Sequence, residues 1–142
     1  MIEIVKFKAE HIQMLREQDA TAYLTAYITP EHEKQLETCT HAYTGIVNGR
    51  VVTCAGVIEY WHDRGEAWAI MDRTFGQDFL PIHRAVKRFL DLVPYRRIEA
   101  VVDYEFVNGH RWVKMLGFRV EAERMKAYLP RGRDATLYAR IR

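Results

Sequence analysis

The sequence predicts an α+β domain in which a mostly antiparallel central sheet of about six to seven strands is flanked by about four helices. Two β-forming runs joined by Asn48-Gly49 are typical of a hairpin with a two-residue type I′ turn. After Asp78, apolar residues recur every three or four positions, which predicts an amphipathic helix. Later, Leu116-Gly117-Phe118 closes a short helix with glycine and opens another strand. We expect residues 1–142 to form a single domain.

The N-terminal region reads as one strand and two helices. Ile2 to Lys8 has the alternation and the β-forming residues of a first strand. Ala9 to Asp19 has the apolar spacing of a helix, and a loop follows it. Pro30 then suits the first turn of a second helix from Glu31 to about Thr38, with Thr29 as its N-cap.

The middle of the chain predicts an antiparallel meander of three strands. The first runs from Ala42 to Val47 and the second from Arg50 to Trp61. A turn at His62 to Gly65 leads into the third strand, Glu66 to Met71. Asp72 to Gln77 then interrupts the apolar pattern, so we expect a loop there.

The C-terminal half alternates between helices and strands. The amphipathic helix from Asp78 ends at Val93, and Ile98 to Val102 forms the next strand. A short helix follows, for which Gly117 is the natural left-handed stop. The last two strands are Phe118 to Leu129 and Ala135 to Ile141, joined by a hairpin.

Composition and spacing argue against several classes of function. The formal net charge of +2 comes from interspersed charges, with no clustered basic face of the kind that nucleic-acid-binding proteins carry. No apolar run reaches the length of a membrane span, and residues 1–20 do not resemble a signal peptide, so we expect a cytoplasmic protein. Two cysteines and six scattered histidines match no metal-binding pattern.

The order of predicted elements, together with Leu116-Gly117-Phe118, resembles the GNAT superfamily of acyl-CoA-dependent N-acyltransferases over essentially the whole chain. Within that superfamily it resembles short bacteriophage members, including the internal virion proteins of T7-like podoviruses. The resemblance implies a GNAT-like sheet, acetyl-CoA as the acyl donor and an amine-bearing small molecule or protein as the acceptor. For the phage members it implies phage structural proteins as partners.

The resemblance also implies a position for the cofactor. The family binds the pyrophosphate at a Gln/Arg-x-x-Gly-x-Gly/Ala loop, where backbone amides and the helix dipole favour anions. Residues 73–78 read Arg-Thr-Phe-Gly-Gln-Asp and fit two of the three positions. Asp78 departs from the pattern, and as an N-cap it would occupy the amide donors itself. Met71 would pair with the pantetheine through its backbone. The implied cofactor residues are Met71, Arg73, Thr74, Phe75, Gly76 and Gln77.

The catalytic residues stay open at the level of sequence. Val113 matches the position where the family often has a tyrosine that protonates the departing thiolate, so no hydroxyl is present there. Phe106 matches the family's asparagine, and Asn108 is expected to cap the helix. The candidates for the general base are Glu59, Glu66, Asp103, Glu105 and His110.

Two functions therefore follow, and the sequence leaves open whether the chain is an enzyme. The first is an N-acyltransferase that moves an acetyl or other acyl group from acyl-CoA to an amine. The second is a GNAT-fold bacteriophage virion or assembly protein without catalysis, for which the virion interior replaces the cytoplasm as the location. Asp78 and the missing tyrosine motivate the second function, because function lies in the site and not in the fold.

Overall fold

A computed structural model of the chain describes residues 1–16 and 18–142. The strands are β1 (Ile2–Lys6), β2 (His41–Val47), β3 (Arg50–Trp61), β4 (Arg64–Met71), β5 (Arg97–Asp103), β6 (Arg119–Leu129) and β7 (Arg133–Ile141). The α-helices are α1 (Asp19–Thr25), α2 (Pro30–Glu37), α3 (Phe79–Leu92) and α4 (Val107–Met115). Short 3-10 helices cover Ala9–Met14, Phe75–Asp78 and Pro130–Gly132.

The seven strands form one mixed sheet in the order β1-β2-β3-β4-β5-β7-β6. The pairs β1 with β2, β2 with β3, β5 with β7 and β6 with β7 are antiparallel. β4 and β5 are parallel, and their pairing joins Arg64–Glu66 to Arg97–Glu99. The predicted α+β fold with a mostly antiparallel sheet is thus confirmed.

Two glycine-dependent turns lie where the sequence predicts them. Asn48 and Gly49 have φ angles of 50° and 75°, the pair of positive values that a type I′ hairpin turn requires. Gly117 has a φ of 94° directly after α4. A side chain is strained in this left-handed region, whereas glycine is not, so Gly117 ends the helix and releases Phe118 into the core.

The predicted helix from Ala9 to Asp19 is wrong, because tertiary hydrogen bonds interrupt it. A 3-10 helix covers Ala9–Met14, and Leu15 is extended at φ −81° and ψ 141°. The Arg16 amide donates to Asp72 Oδ1 at 2.7 Å, and the Arg16 carbonyl accepts from the Arg73 amide at 2.6 Å. These bonds fix the backbone at Arg16 outside any helix, so an α-helix begins only at Asp19 and continues into the region expected as a loop. Position 17 lies outside the described residues.

The second and third helices confirm their predicted signals. Thr29 caps α2, because its hydroxyl accepts a hydrogen bond from the His32 amide at 3.3 Å, and Pro30 stands in the first turn. α3 buries Ile82 and Leu90 on its apolar face. The helix is therefore held by packing along one stripe.

The chain divides into two compact units, each with its own core. The first consists of Met1–Ile58 and Trp68–Val93. Its buried cluster contains Phe7, Ala42, Val51 and Cys54, with partly buried apolar side chains around it. The Trp68 ring meets the Phe7 ring edge to face, with centroids 5.3 Å apart.

The second unit consists of Glu59–Ala67 and Pro94–Arg142. Its buried apolar side chains include Tyr95, Ile98, Val102, Val113, Leu116, Phe118 and Tyr138. Buried Glu99 accepts two hydrogen bonds from Arg64, at 2.7 and 2.9 Å, and one from Arg97 at 2.6 Å. These bonds compensate the charge of Glu99 on the sheet. That the two units act as one domain stays a prediction.

Candidate functional site

A buried carboxylate anchors the loop that follows β4. The Asp72 side chain has no exposed surface. Its Oδ2 accepts the Thr74 amide at 3.1 Å and the Thr74 hydroxyl at 2.6 Å. The same oxygen lies 3.3 Å from the Arg16 guanidinium and 3.2 Å from that of Arg50. Asp72 thus joins the loop to β3 and to the segment before α1.

Asp72 is charged at neutral pH. Burial raises the pKa of its carboxyl, but the hydrogen bonds from Thr74 and Arg16 outweigh burial, so that the pKa falls to about 2. Donors directed at a carboxylate stabilise the ionised form, which explains the direction. Asp72 is therefore a structural anion in this loop, and it is a poor proton acceptor.

Four backbone amides of the loop already have acceptors within the protein. An anion that binds at the loop must compete with these internal acceptors for the amide donors. In a nest, by contrast, several free amides converge on the anion. The donors and acceptors are the Arg73 amide with the Arg16 carbonyl (2.6 Å), Thr74 with Asp72 Oδ2 (3.1 Å), Phe75 with the Asp72 carbonyl (2.9 Å) and Gln77 with the Thr74 carbonyl (2.9 Å).

The outer face of the loop carries the features that an anion needs. Arg73, Gly76 and Gln77 are exposed. Within residues 1–16 and 18–142, the Arg73 side chain forms no hydrogen bond or ion pair. A Cβ built at Gly76 would meet no atom within 4 Å, so the backbone there is open to approach. Loop and helix start therefore present one cation and uncovered main chain to solvent.

The other predicted cofactor residues contact the protein itself. Met71 is buried at the end of β4, and its sulfur accepts a hydrogen bond from the Thr53 hydroxyl at 3.0 Å. Phe75 is half-buried and meets the Phe79 ring edge to face. The Thr74 side chain donates to Asp72. Of the six residues, Arg73, Gly76 and Gln77 are the three whose positions face solvent.

Asp78 does not act as the N-cap that the sequence predicts. It precedes α3, but its side chain makes no capping hydrogen bond to the helix. Its carboxylate is only 17% exposed and lies 3.9 Å from the Arg50 guanidinium. The prediction is wrong because a 3-10 turn at Phe75–Asp78 precedes the helix and gives Asp78 a φ of −109° and a ψ of 15°, outside the extended region usual for a cap.

The loop region keeps a positive charge balance. Among the described residues of this region, Arg16, Arg50 and Arg73 supply three positive charges, and Asp72 and Asp78 supply two negative ones, so their balance is +1. Arg16 and Arg50 come from distant parts of the sequence and were not expected at this site. The signal for Asp72 was present, because an acid two residues before Thr74 at a strand end is typical of a side chain that caps a turn.

The candidate general bases lie in the second unit, and each makes hydrogen bonds within the protein. Glu59 accepts a hydrogen bond from the Tyr95 hydroxyl at 2.9 Å, and Glu66 accepts one from the Tyr60 hydroxyl at 2.6 Å. The bond to Glu66 raises the pKa of Tyr60 to about 12. Both carboxylates are therefore bound by neutral donors and retain oxygen lone pairs.

Asp103 and Glu105 share a cation. Arg133 donates to Asp103 at 2.6 and 3.1 Å and to Glu105 at 3.0 Å. Asp103 is buried and also accepts the Glu105 amide at 2.9 Å. This arrangement fits a structural role, in which the two carboxylates hold Arg133 at the start of β7, better than a site open to an amine.

Both ring nitrogens of His110 make hydrogen bonds within the protein. Its Nε2 lies 2.9 Å from the Tyr104 carbonyl, and its Nδ1 lies 2.7 Å from the Tyr138 hydroxyl. Because a carbonyl only accepts, Nε2 carries the proton and Nδ1 accepts from Tyr138. Neither nitrogen is available to a substrate, so His110 is a structural residue. Nothing in the local pattern around Tyr138 indicated this bond.

Helix α4 lacks, at the matching positions, the polar groups that the resemblance to the GNAT superfamily implies. Val113 is buried and has no hydroxyl. Asn108 lies inside α4 as its second residue and is exposed, so the prediction that it caps the helix is wrong. The residue before the helix is Phe106, whose side chain cannot accept a hydrogen bond.

The second unit has a polar pocket of about 370 Å³. In it the Arg124 guanidinium lies 4.3 Å from the centroid of the Tyr104 ring and donates to Asp134 at 2.7 Å.

In the described part of the chain, no three His, Cys, Asp or Glu side chains are grouped to hold a metal ion. No α-helix among the same residues is long and apolar enough to cross a membrane.

Comparison with known proteins finds similarity in structure alone. No protein-family model matches the chain, and no curated protein matches it. The Ard1 structure from Thermoplasma volcanium superposes with a TM-score of 0.81 at 18% identity, covering 99% of this chain and 97% of that one. The GNAT-family acetyltransferase of Bacillus anthracis gives 0.69 at 18% identity, covering 99% and 94%.

A third structure agrees with these two. The ribosomal-protein-S5-alanine acetyltransferase of Vibrio fischeri superposes with a TM-score of 0.69 at 17% identity, covering 99% of this chain and 92% of that one. Identities this low establish architecture and do not establish activity. The chain has the GNAT-like α+β fold along its length.

Proposed function

We propose that this chain is an acyl-CoA-dependent N-acyltransferase, which transfers an acetyl or related acyl group to an amine. The observation that carries the proposal is the likeness of 99% of the chain to solved GNAT-fold structures, among them named acetyltransferases. The exposed Arg73 and the open backbone at Gly76 support it, because they stand between β4 and α3, at the positive end of the helix.

The loop fits the pyrophosphate of CoA through charge and access. Arg73 and the open main chain at Gly76 would hold it, and the net charge of the loop favours an anion. We expect the backbone of Met71 to pair with the pantetheine. The amides of Arg73, Thr74, Phe75 and Gln77 donate internally, so the proposed binding depends on the cation and on the helix dipole.

Acyl-CoA would supply a thioester, whose carbonyl carbon is attacked by an amine that has lost its proton. The C–N bond forms as the C–S bond breaks, and CoA leaves as a thiolate that takes up a proton. Among the candidate bases, Glu59 and Glu66 accept hydrogen bonds from neutral tyrosine hydroxyls and have lone pairs left for a proton. His110 has none, since both ring nitrogens are engaged. We therefore assign the role of general base to one of these two glutamates.

Specific observations favour a second candidate, a GNAT-fold protein without catalysis. Val113 has no hydroxyl that could protonate the departing thiolate. The internal hydrogen bonds of the loop also make its amides less available to a cofactor. Such a protein would bind a partner in place of acyl-CoA. That this partner is a phage structural protein, in the virion interior, stays a prediction.

Binding of acetyl-CoA tests the proposal directly. At about one hundred times the dissociation constant, the ligand should stabilise the protein by about 2.7 kcal/mol and raise the thermal midpoint by several degrees. Arg73→Ala should abolish most of that shift, because it removes the exposed cation of the loop. Differential scanning fluorimetry measures both effects.

Two controls sharpen the experiment. Lys126→Ala removes an exposed cation from β6 and should leave the shift unchanged. ADP in place of acetyl-CoA shows how much of the shift a diphosphate alone produces. If acetyl-CoA shifts neither the wild-type protein nor Lys126→Ala, the acyltransferase proposal falls.

A further inference from the structure

Asp78 poses an electrostatic problem for an anion-binding loop. Its carboxylate stands at the start of α3, where a phosphate would otherwise meet the positive end of the helix. The side chain is 17% exposed, and its Oδ2 has no hydrogen-bond partner among the described residues. A negative charge placed there repels a second one unless a cation balances it.

Arg50 is the cation closest to this carboxylate among the described ion pairs. Its Nη2 lies 3.9 Å from Asp78 Oδ2, while its Nη1 donates to the Thr74 hydroxyl at 2.6 Å and to Asp72 Oδ2 at 3.2 Å. A planar guanidinium can satisfy groups on two sides at once, which a lysine ammonium does less well. One side chain therefore contacts the beginning, the middle and the end of the loop.

The backbone around Arg50 fixes this position. Arg50 is the first residue of β3 and pairs with Val47 across the hairpin turn. The turn residues Asn48 and Gly49 adopt the positive φ angles of a tight two-residue connection, so the guanidinium is projected from a rigid base. Its side chain is 38% exposed, so the charge is partly shielded from solvent screening.

We infer that Arg50 is a positioning residue of the phosphate-binding loop, which neutralises Asp78 and orders Thr74 so that the loop accepts a pyrophosphate group despite an acid at the helix start. The inference rests on the proposed function. Arg50 acts through Asp78 and Thr74 and does not itself contact the ligand. The loop with Arg50 has a charge balance of +1; without Arg50 the balance is zero.

A double-mutant cycle on CoA affinity tests this inference. Arg50→Met should weaken CoA binding about tenfold, as expected for one uncompensated charge near the site. Asp78→Asn alone should change affinity by less than about threefold, because Arg50 already balances that charge. The double variant R50M/D78N should return to within about threefold of wild type. Isothermal titration with CoA measures all four proteins.

Arg50→Lys keeps the experiment decisive if Arg50→Met unfolds. It preserves the charge and should bind CoA within about threefold of wild type, whereas R50K/D78N should bind at least as tightly as R50K. Inorganic pyrophosphate, as a second probe, should follow the same order of affinities if the shared diphosphate chemistry is what the loop recognises. Circular dichroism confirms that each variant is folded.

The outcomes separate the two proposals. If wild type binds CoA but R50M/D78N stays as weak as R50M, Arg50 does not act by neutralising Asp78 and the inference is overturned. If D78N alone tightens binding tenfold or more, Asp78 was never neutralised, and the inference is again overturned. If wild type does not bind CoA or pyrophosphate at all, the proposed function falls and the inference falls with it.

Discussion

Asp72 shows how one buried side chain can organise a loop. Its carboxylate collects donors from Arg16, Arg50 and Thr74 and has no exposed surface. Replacing it by Asn keeps the shape but removes the charge that two guanidinium groups face. Asp72→Asn should therefore lower the free energy of unfolding by about 2–3 kcal/mol at pH 7. Urea denaturation measures this loss, and Asp63→Asn, an exposed acid in the β3–β4 turn, should change stability by less than about 0.5 kcal/mol.

The same carboxylate predicts a pH dependence. Its pKa is about 2 in the folded protein against 3.8 for the free side chain, so the unfolded chain binds the proton more readily. The stabilisation is therefore complete above about pH 4 and is lost as the pH falls from there through 2. The loss is on the order of 2 kcal/mol. Urea curves at pH 5 and pH 2.5 should show a larger loss in wild type than in Asp72→Asn, in which the other acids still titrate; an equal loss in both would contradict the assignment.

Tyr60 offers a direct spectroscopic check on the Glu66 hydrogen bond. The bond and the nearby carboxylate raise the pKa of Tyr60 to about 12, because ionising the phenol would break the bond. Glu66→Gln should bring this pKa down towards 10. Phenolate absorbance measures the titration, and subtraction of Tyr60→Phe isolates the one residue. An unchanged titration in Glu66→Gln would show that the two side chains are not bonded in solution.

At the scale of the element, the end of α4 depends on a glycine. Gly117 has a φ of 94°, and a Cβ there would lie 3.3 Å from Arg140 Nε. Gly117→Ala should destabilise the protein by about 1–2 kcal/mol, since an L-residue resists the left-handed backbone. Thermal or urea unfolding tests it. Gly76→Ala is the matched control, because its Cβ meets nothing within 4 Å and should cost little stability.

The helices differ in how strongly they depend on residues that are distant in the sequence. α2 carries its own start signal in Thr29 and Pro30, and α3 has an apolar stripe that buries Ile82 and Leu90, so both form where the pattern places them. The 3-10 helix at Ala9–Met14 does not continue as an α-helix, because the Arg16 backbone is hydrogen-bonded to Asp72 and Arg73, 56 and 57 positions away. At this position the two short hydrogen bonds of the Arg16 backbone outweigh the local helix propensity.

At the scale of the whole molecule, the GNAT-like fold is compatible with both an acyltransferase and a non-catalytic protein. A measurement of turnover distinguishes these two candidates. We expect thiol release from acetyl-CoA to rise above the amine-free rate with at least one acceptor in a panel of polyamines, amino acids and peptides. Glu66→Gln or Glu59→Gln should lower that rate at least about a hundredfold, because one of them removes the amine proton. The released thiol is measured by the absorbance of a chromogenic disulfide reagent with which it exchanges.

The controls for turnover are binding and specificity. Glu105→Gln, a carboxylate already paired with Arg133, should leave the rate within about threefold of wild type. If the protein binds acetyl-CoA but releases no thiol with any acceptor, the non-catalytic candidate is correct. If thiol release occurs and neither glutamate variant changes it, the base lies elsewhere.

The sequence by itself determined the order of the strands and of helices α2, α3 and α4, the hairpin at Asn48-Gly49 and the stop at Gly117. These features depend on residues within one turn of each other, and glycine, proline and apolar spacing report them directly. The location of the loop at Arg73–Gln77 followed from the same local reading, because the apolar strand pattern ends at Met71.

Only the tertiary structure decided which groups meet at the loop. Asp72 joins Arg16 and Arg50 from 56 and 22 positions away, and His110 is fixed by Tyr138 from 28 positions away. Such pairs leave no periodic trace, because a hydrogen bond between distant segments constrains neither neighbour in the sequence. For the same reason Asp78, which local rules assign to the helix cap, lies instead against Arg50.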